Sequence, residues 1–299
     1  MTLPNFAVIG AAKSGTTALY EYLKQHPDVY MSPQKETNFF AFEGREVGFR
    51  GPGDEGISQS SITEIATYRA QFAGVAGETA IGEASPWYLY LPGTAGSLRR
   101  HVPDARLIVL LRNPVDRAFS SYLHLVKDGR EKLSFEEGLE AEEARIEQGW
   151  EPLWHYKRAG LYTAQVKRFL ELFGRNRMRF YLYDDFAADV GSVVKDVYEY
   201  LDVDSSFLPD TSTKHNITGV PRNRLLWRLL RGPNLVESTA KLFIPPRLQH
   251  ELKLRVVQGL LKKPVLRLNT RRELARGYRK DVLHLQDLIG LDLSRWIEE

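Results

Sequence analysis

The chain has 299 residues, of which 43% are hydrophobic, and a net charge of +3. That is enough apolar material for a large core, and the charged fraction is ordinary for a globular protein. There is no cysteine, which excludes disulfides, thiolate metal sites and a cysteine nucleophile. No apolar stretch approaches the roughly 20 residues needed to span a bilayer, and Met1 to Phe6 lacks the pattern of a signal peptide. A soluble, cytoplasmic protein is the expectation, with no nucleic acid as partner.

The first element is the apolar run Phe6-Ala7-Val8-Ile9, which ends in glycine as a buried parallel strand does. Thr16 to Gln25 then reads as a helix stopped by His26-Pro27. Between them lies Gly10-Ala11-Ala12-Lys13-Ser14-Gly15-Thr16-Thr17. Its small residues let backbone N–H groups converge on an anion, and the following helix turns its free amides and positive dipole end to the same point.

This is not a standard NTPase loop. The Walker A pattern places lysine directly after the second glycine, whereas here Thr16 follows Gly15 and the lysine has moved forward to Lys13.

Glu43 to Ser61 follows, rich in glycine and polar residues, and is either a lid or acceptor-binding segment or a plain surface insertion. A second strand, Ala105 to Leu111, is broken by Arg112-Asn113-Pro114 and followed by a helix from Val115 to Val126. A strand that ends in Arg112 lacks the aspartate that would hold Mg²⁺ in an NTPase. A cation at that point binds an anion directly, so the expected ligand is polyanionic and metal-free. Ser120, on the helix, is placed to reach the same phosphate.

Lys127 to Arg158 is a charged, helical excursion with the same two readings as the first insertion. Arg179 to Tyr183 reads as a third central strand, and Val190 to Leu201 as a helix with Val193, Val194, Val197, Tyr198 and Leu201 on one face. Strands alternating with helices predict an α/β fold with a P-loop-like, three-layer arrangement: a parallel sheet flanked by helices. Ligands of such sheets bind beyond the carboxyl ends of the strands.

From Lys214 to Lys280, Lys and Arg are opposed only by Glu237, Glu251 and Glu273. Leu225 to Arg231 has the pattern of a basic amphipathic helix. This portion either meets an acidic carrier or a membrane surface, or consists of core-packing helices with solvated faces.

The segments GAAKSGTTALYEYLKQHPDV, KETNFF, GEASPWYLY and LLRNPVDRAFSSY occur in the order and rough spacing of the PAPS-dependent sulfotransferases, where PAPS is 3′-phosphoadenosine 5′-phosphosulfate. The chain resembles the branch shared by bacterial sulfotransferases and the heparan sulfate 3-O and N-sulfotransferase domains. The resemblance covers about the first 125 residues well. It continues more weakly through Gly160-Leu161-Tyr162 and the strand near Tyr183 to a tail ending at Trp296. It implies one sulfotransferase domain over residues 1–299, with a PAPS-binding core at about 3–205 and a basic helical portion at about 206–299.

The resemblance assigns Lys13, Ser14, Gly15, Thr16 and Thr17 to the 5′-phosphosulfate, and Arg112 and Ser120 to the 3′-phosphate. It places Tyr183 with the nucleotide and makes Lys214, Asn216, Arg222 and Arg224 candidates for a late closing loop. Lys13 would stabilise the departing phosphate. Glu36 stands where the 3-O-sulfotransferases carry their catalytic glutamate, beside aromatics that would raise its pKa towards a useful value; the residues alone also allow a surface glutamate beside Lys35.

His124, the histidine near a motif that would face the acceptor, is either a third catalytic candidate or a structural or surface-exposed residue, and Glu83 and Tyr88 are expected to line the cleft. Asn38, Ala41 and Ala84 replace residues common in the heparan-type enzymes, which argues against an acidic polysaccharide. A small-molecule or carrier-bound hydroxyl is the expected acceptor, with PAP, the desulfated nucleotide, as product. Phe39, Phe40, Phe42, Trp87, Tyr88 and Tyr90 form either an apolar cleft or part of the core. Two other readings stay open: a Mg²⁺- and ATP-dependent P-loop kinase, and a non-catalytic nucleotide-binding module.

Overall fold

In the computed structural model the chain is described for residues 2–212, 220–221, 261–262 and 264–297. Five strands form one parallel sheet in the order β2-β3-β1-β4-β5: β1 Phe6–Gly10, β2 Val29–Met31, β3 Ala80–Ala84, β4 Arg106–Leu111 and β5 Met178–Leu182. α1 (Thr16–Leu23) follows β1; α2 (Phe39–Phe42), α3 (Glu55–Ser60) and α4 (Ile65–Ala70) lie between β2 and β3, and α5 (Thr94–His101) between β3 and β4; α6 (Pro114–Lys127) follows β4, and α10 (Tyr183–Ala188) with α11 (Val190–Leu201) follows β5. The α/β expectation holds.

The alternation along β1 divides the core. Phe6 and Val8 point to the face covered by α1 and α11, whereas Ala7 and Ile9 point to the larger core on the other face. Phe6 lies opposite Gly82 of β3, and a Cβ on Gly82 would come within 2.2 Å of the Phe6 ring. Glycine there is what lets a bulky side chain sit over the neighbouring strand.

α6 begins with Pro114 at its first turn, and the Asn113 side chain accepts from the Val115 N–H at 2.9 Å. Its Arg117 is 1% exposed and donates to the Ser121 hydroxyl and to the carbonyls of His155 and Tyr156. That bond set ties the helix to the Lys127–Arg158 excursion.

The excursion is less helical than expected. It holds only the six-residue helices α7 (Phe135–Glu140) and α8 (Glu142–Glu147), then two single-turn 3₁₀ segments. Buried Asp54 joins it to the earlier insertion by accepting from the N–H groups of Gly51 and Glu151, from Trp154 Nε1 at 2.9 Å and from Arg130.

After residue 263 the long helix α12 (Leu268–Ile289) packs along α9 (Tyr162–Phe173). Asp281 of α12 accepts from the Tyr162 N–H at 2.7 Å, and Tyr278 donates to the Lys157 carbonyl at 2.9 Å. The Tyr162 hydroxyl in turn donates to the Arg112 carbonyl at 3.1 Å. The end of β4 is thus braced by the C-terminal helix. No described helix is long and apolar enough to cross a membrane.

Candidate active site

All the candidate residues in the described part lie at one edge of the sheet. Lys13 follows β1, Glu36 follows β2, Glu83 is the penultimate residue of β3, Arg112 follows β4 and Tyr183 follows β5. A parallel sheet sends every one of these carboxyl-end loops to the same side.

Gly15 caps α1 at φ 92°, and no side chain caps this helix start. The leading amides of α1 therefore lack both intrahelical acceptors and a side-chain substitute. A Cβ on Gly15 would stand 3.2 Å from Tyr183 Cδ2 and 3.3 Å from Phe186 Cδ1, so a larger residue would crowd the loop. Thr16 is buried and Thr17 half-buried. The Ser14 hydroxyl is fully buried without a well-formed hydrogen bond, although it lies near enough to the Tyr162 phenol to favour that phenol's charged form. A buried polar atom left short of a partner fits a loop built to hold an anion.

Arg112 donates from Nη1 to the Lys13 carbonyl at 3.1 Å, and its guanidinium lies 4.4 Å from the centre of the Tyr183 ring. The second contact is a cation–π stack that holds the guanidinium plane. Tyr183 is the first residue of α10 rather than the last of the third strand, which spans Met178–Leu182 instead of ending at Tyr183. Ser120 lies on α6, 8% exposed. Lys214, Asn216, Arg222 and Arg224 lie outside the described residues, as does the pattern from Leu225 to Arg231.

Lys13 itself has φ 71°. Its Nζ lies 3.2 Å from His124 Nδ1, and His124 Nε2 lies 3.3 Å from Asp128 Oδ2, one helical turn on. Burial pushes the Lys13 ammonium down to about 8; the charge of Glu36 opposes this, while Lys127 and Arg112 add to it. Burial, with the Lys13 charge next, pushes His124 down to about 4. A neutral imidazole accepting at Nδ1 carries its proton on Nε2, directed at Asp128.

Glu36 stands in a left-handed conformation at φ 62°, with its N–H bonded to the Ala84 carbonyl at 2.9 Å and its carboxylate contacting the Lys35 ammonium. Its charge reaches Lys13, so the two residues share one electrostatic neighbourhood.

One expectation about the cleft is corrected, and one open reading is decided. Glu83 and Tyr88 are 0% exposed, so neither lines it; they belong to a buried hydrogen-bond cluster. Phe39, Phe40, Phe42 and Trp87 are likewise buried in the main core, and of that aromatic set Tyr90 alone is half-buried. The Tyr162 brace beneath Arg112 and the Asp128 partner of His124 were not read in advance. The four-residue spacing of His124 and Asp128 on one helix was the available sign of the second.

Residues 4–207 match the Sulfotransferase family. The chain belongs to the sulfotransferase family. Its fold agrees with the crystal structure of a sulfotransferase from Alicyclobacillus acidocaldarius, which is 40% identical with a TM-score of 0.79 over 100% of both chains. Membrane-associated sulfotransferase kil1 of Dictyostelium discoideum is 36% identical over 122 residues, covering 41% of this chain and 23% of that protein. Carbohydrate sulfotransferase 15 of Homo sapiens is 25% identical over 246 residues, covering 67% of this chain and 44% of that protein. This chain thus spans less than half the length of either curated relative. Sulfotransferase membership favours sulfuryl transfer over the kinase and the non-catalytic module.

Proposed function

We propose that this sulfotransferase uses PAPS to sulfate an acceptor hydroxyl, with Lys13 stabilising the leaving phosphate and Glu36 as general base. The observation that carries the reading is the convergence, at one sheet edge, of an uncapped helix start, Lys13 and Arg112, with the Glu36 charge beside Lys13.

Lys13, Ser14, Gly15, Thr16 and Thr17 would hold the 5′-phosphosulfate, and Arg112, Ser120 and Tyr183 the 3′-phosphorylated end of the nucleotide. Lys214, Asn216 and Arg222 remain the candidates to close over it. When bound, PAPS supplies the sulfuryl group: the bond from sulfur to the acceptor oxygen forms as the bond to the 5′-phosphate oxygen breaks, and PAP leaves with that electron pair.

Lys13 supplies a fixed positive charge where the leaving oxygen gains negative charge, and Glu36 takes the acceptor's proton. The acceptor oxygen must lie within hydrogen-bond reach of Glu36 for this to happen. His124 acts on the donor side, because its Nδ1 is committed to Lys13 and its low pKa keeps it neutral. A small-molecule or carrier-bound hydroxyl is the acceptor class this reading favours.

The test is mass spectrometry for a sulfate-sized gain on a panel of hydroxyl acceptors incubated with PAPS. Wild-type enzyme is expected to modify at least one. Lys13→Ala and Glu36→Gln should each lose at least about 100-fold in rate, and Glu36→Gln should still bind PAP. Full turnover by Glu36→Gln would remove it as base.

A further inference from the structure

Glu83, the penultimate residue of β3, has its side chain fully buried and no Lys, Arg or His paired to it among the described residues. Among the described residues its carboxylate is held by hydroxyls alone. Thr37 Oγ1 and Ser85 Oγ donate to Oε2 at 2.6 and 2.7 Å, and the Tyr68 and Tyr88 phenols donate to Oε1 at 2.7 and 2.9 Å. Burial, with the Glu83 charge next, pushes both phenols well above their ordinary range, so they remain donors.

A hydroxyl that gives its proton to a carboxylate keeps lone pairs for other donors. Two of the four use them on the segment after Glu36. Ser85 Oγ accepts from the Asn38 N–H at 3.1 Å, and the Tyr88 hydroxyl accepts from the Phe40 N–H at 3.3 Å. Thr37 is itself part of that segment, flanked by Glu36 at φ 62° and Asn38 at φ 53°. Two non-glycine residues in the left-handed region persist only where their surroundings impose the conformation.

We infer that Glu83 is a positioning residue: by fixing the hydroxyls of Thr37, Ser85 and Tyr88, it holds the 36–38 turn in the conformation that sets Glu36 at the sheet edge it shares with Lys13. The inference goes beyond the proposed chemistry and rests on that reading only for the role of Glu36 itself.

The backbone consequence is tested without an acceptor, using Thr37→Val, Glu83→Gln and the conservative Thr37→Ser. Thr37→Val and Glu83→Gln should speed amide hydrogen exchange at Glu36 and Asn38 by about tenfold or more, leave the β1 and β4 amides protected, and keep a cooperative melt. Thr37→Ser should behave as wild type. Unchanged exchange at Glu36 and Asn38 in both variants would overturn the inference, whatever the fate of Glu36 as base.

The side-chain consequence is read through Lys13, which Glu36 and Asp128 hold up and burial, Lys127 and Arg112 push down, with neutral His124 in contact. PAP affinity followed by calorimetry should fall above a midpoint near the Lys13 value of about 8. Thr37→Val and Glu83→Gln should lower that midpoint by roughly half a pH unit, as Glu36→Gln does, with no further change when Thr37→Val is added to Glu36→Gln. A shift in Glu36→Gln but not in the other two would sink the positioning role. Faster exchange with no shift in any variant would uphold the hold on the turn and count against Glu36 acting at Lys13.

Discussion

The Lys13 ammonium donates to His124 Nδ1 across 3.2 Å, joining the loop after β1 to α6, the helix that also carries Ser120. An ammonium lowered to about 8 is protonated at neutral pH and loses its proton just above it. Its protonated form is the one that binds a phosphate. PAP affinity should therefore be level near pH 7 and fall towards tenfold per pH unit above about 8. Lys13→Arg, whose charge persists in that range, should bind PAP with a flat profile between pH 7 and 9.5. Equal slopes in the two proteins would show that Lys13 does not titrate against the nucleotide.

Arg112 offers the second anion contact. Removing a charged hydrogen-bond donor costs about 1.5–3 kcal/mol, so Arg112→Ala should weaken PAP binding roughly 10- to 100-fold. Adenosine 5′-phosphate, which lacks the 3′-phosphate, should lose no more than about threefold. Calorimetric titration of both nucleotides decides it, and equal losses would mean that Arg112 acts only through its bond to the Lys13 carbonyl and its stack on Tyr183.

How far the sequence carries can be judged element by element. Long apolar runs were legible: β1 and β4 lie within a residue of their expected spans, and α11 matches the helix read over residues 190–201. β2 and β3 were not, because Val29–Met31 is only three residues long and Ala80–Ala84 contains a glycine and a glutamate. Their strand character comes from pairing with each other and of β3 with β1, which is a tertiary fact.

Lys13 and Arg112 were legible because each sits at a strand-to-helix junction, where backbone direction follows from local pattern. Glu83 was misread as lining the cleft. Half of its hydroxyl shell comes from Thr37, 46 residues away, and Tyr68, 15 residues away, and no local pattern records that meeting. The approach of His124 to Lys13, 111 residues apart, was hidden for the same reason.

Gly15 is required twice over, by its φ of 92° and by Tyr183 and Phe186 close above it. Gly15→Ala should cost about 1–2 kcal/mol from the left-handed backbone alone, a fall of roughly 2–8 °C in melting temperature. The displaced loop should also bind PAP at least about tenfold more weakly. Wild-type melting and PAP affinity in Gly15→Ala would mean that the loop relaxes freely and that its shape is not what binds the nucleotide.

Glu151 and Asp54 share Arg130 at the junction of the two insertions, Glu151 at 2.6 Å from the guanidinium and 6% exposed. Burial raises the Glu151 carboxyl to about 7 despite Arg130, with Asp54 adding to the rise. A carboxyl raised above its unfolded value of 4.5 stabilises the fold most below that value, and the contribution is lost as pH rises through about 7. A shift of that size corresponds to at most about 3 kcal/mol. Wild-type protein should therefore lose several degrees of melting temperature between pH 5 and 8 that Glu151→Gln does not lose. Asp54→Ala, by contrast, should cost about 3 kcal/mol at either pH, because it strips acceptors from Gly51, Glu151 and Trp154 together. Parallel melting curves for wild type and Glu151→Gln across that range would show that the carboxyl keeps its charge throughout, with Arg130 outweighing burial.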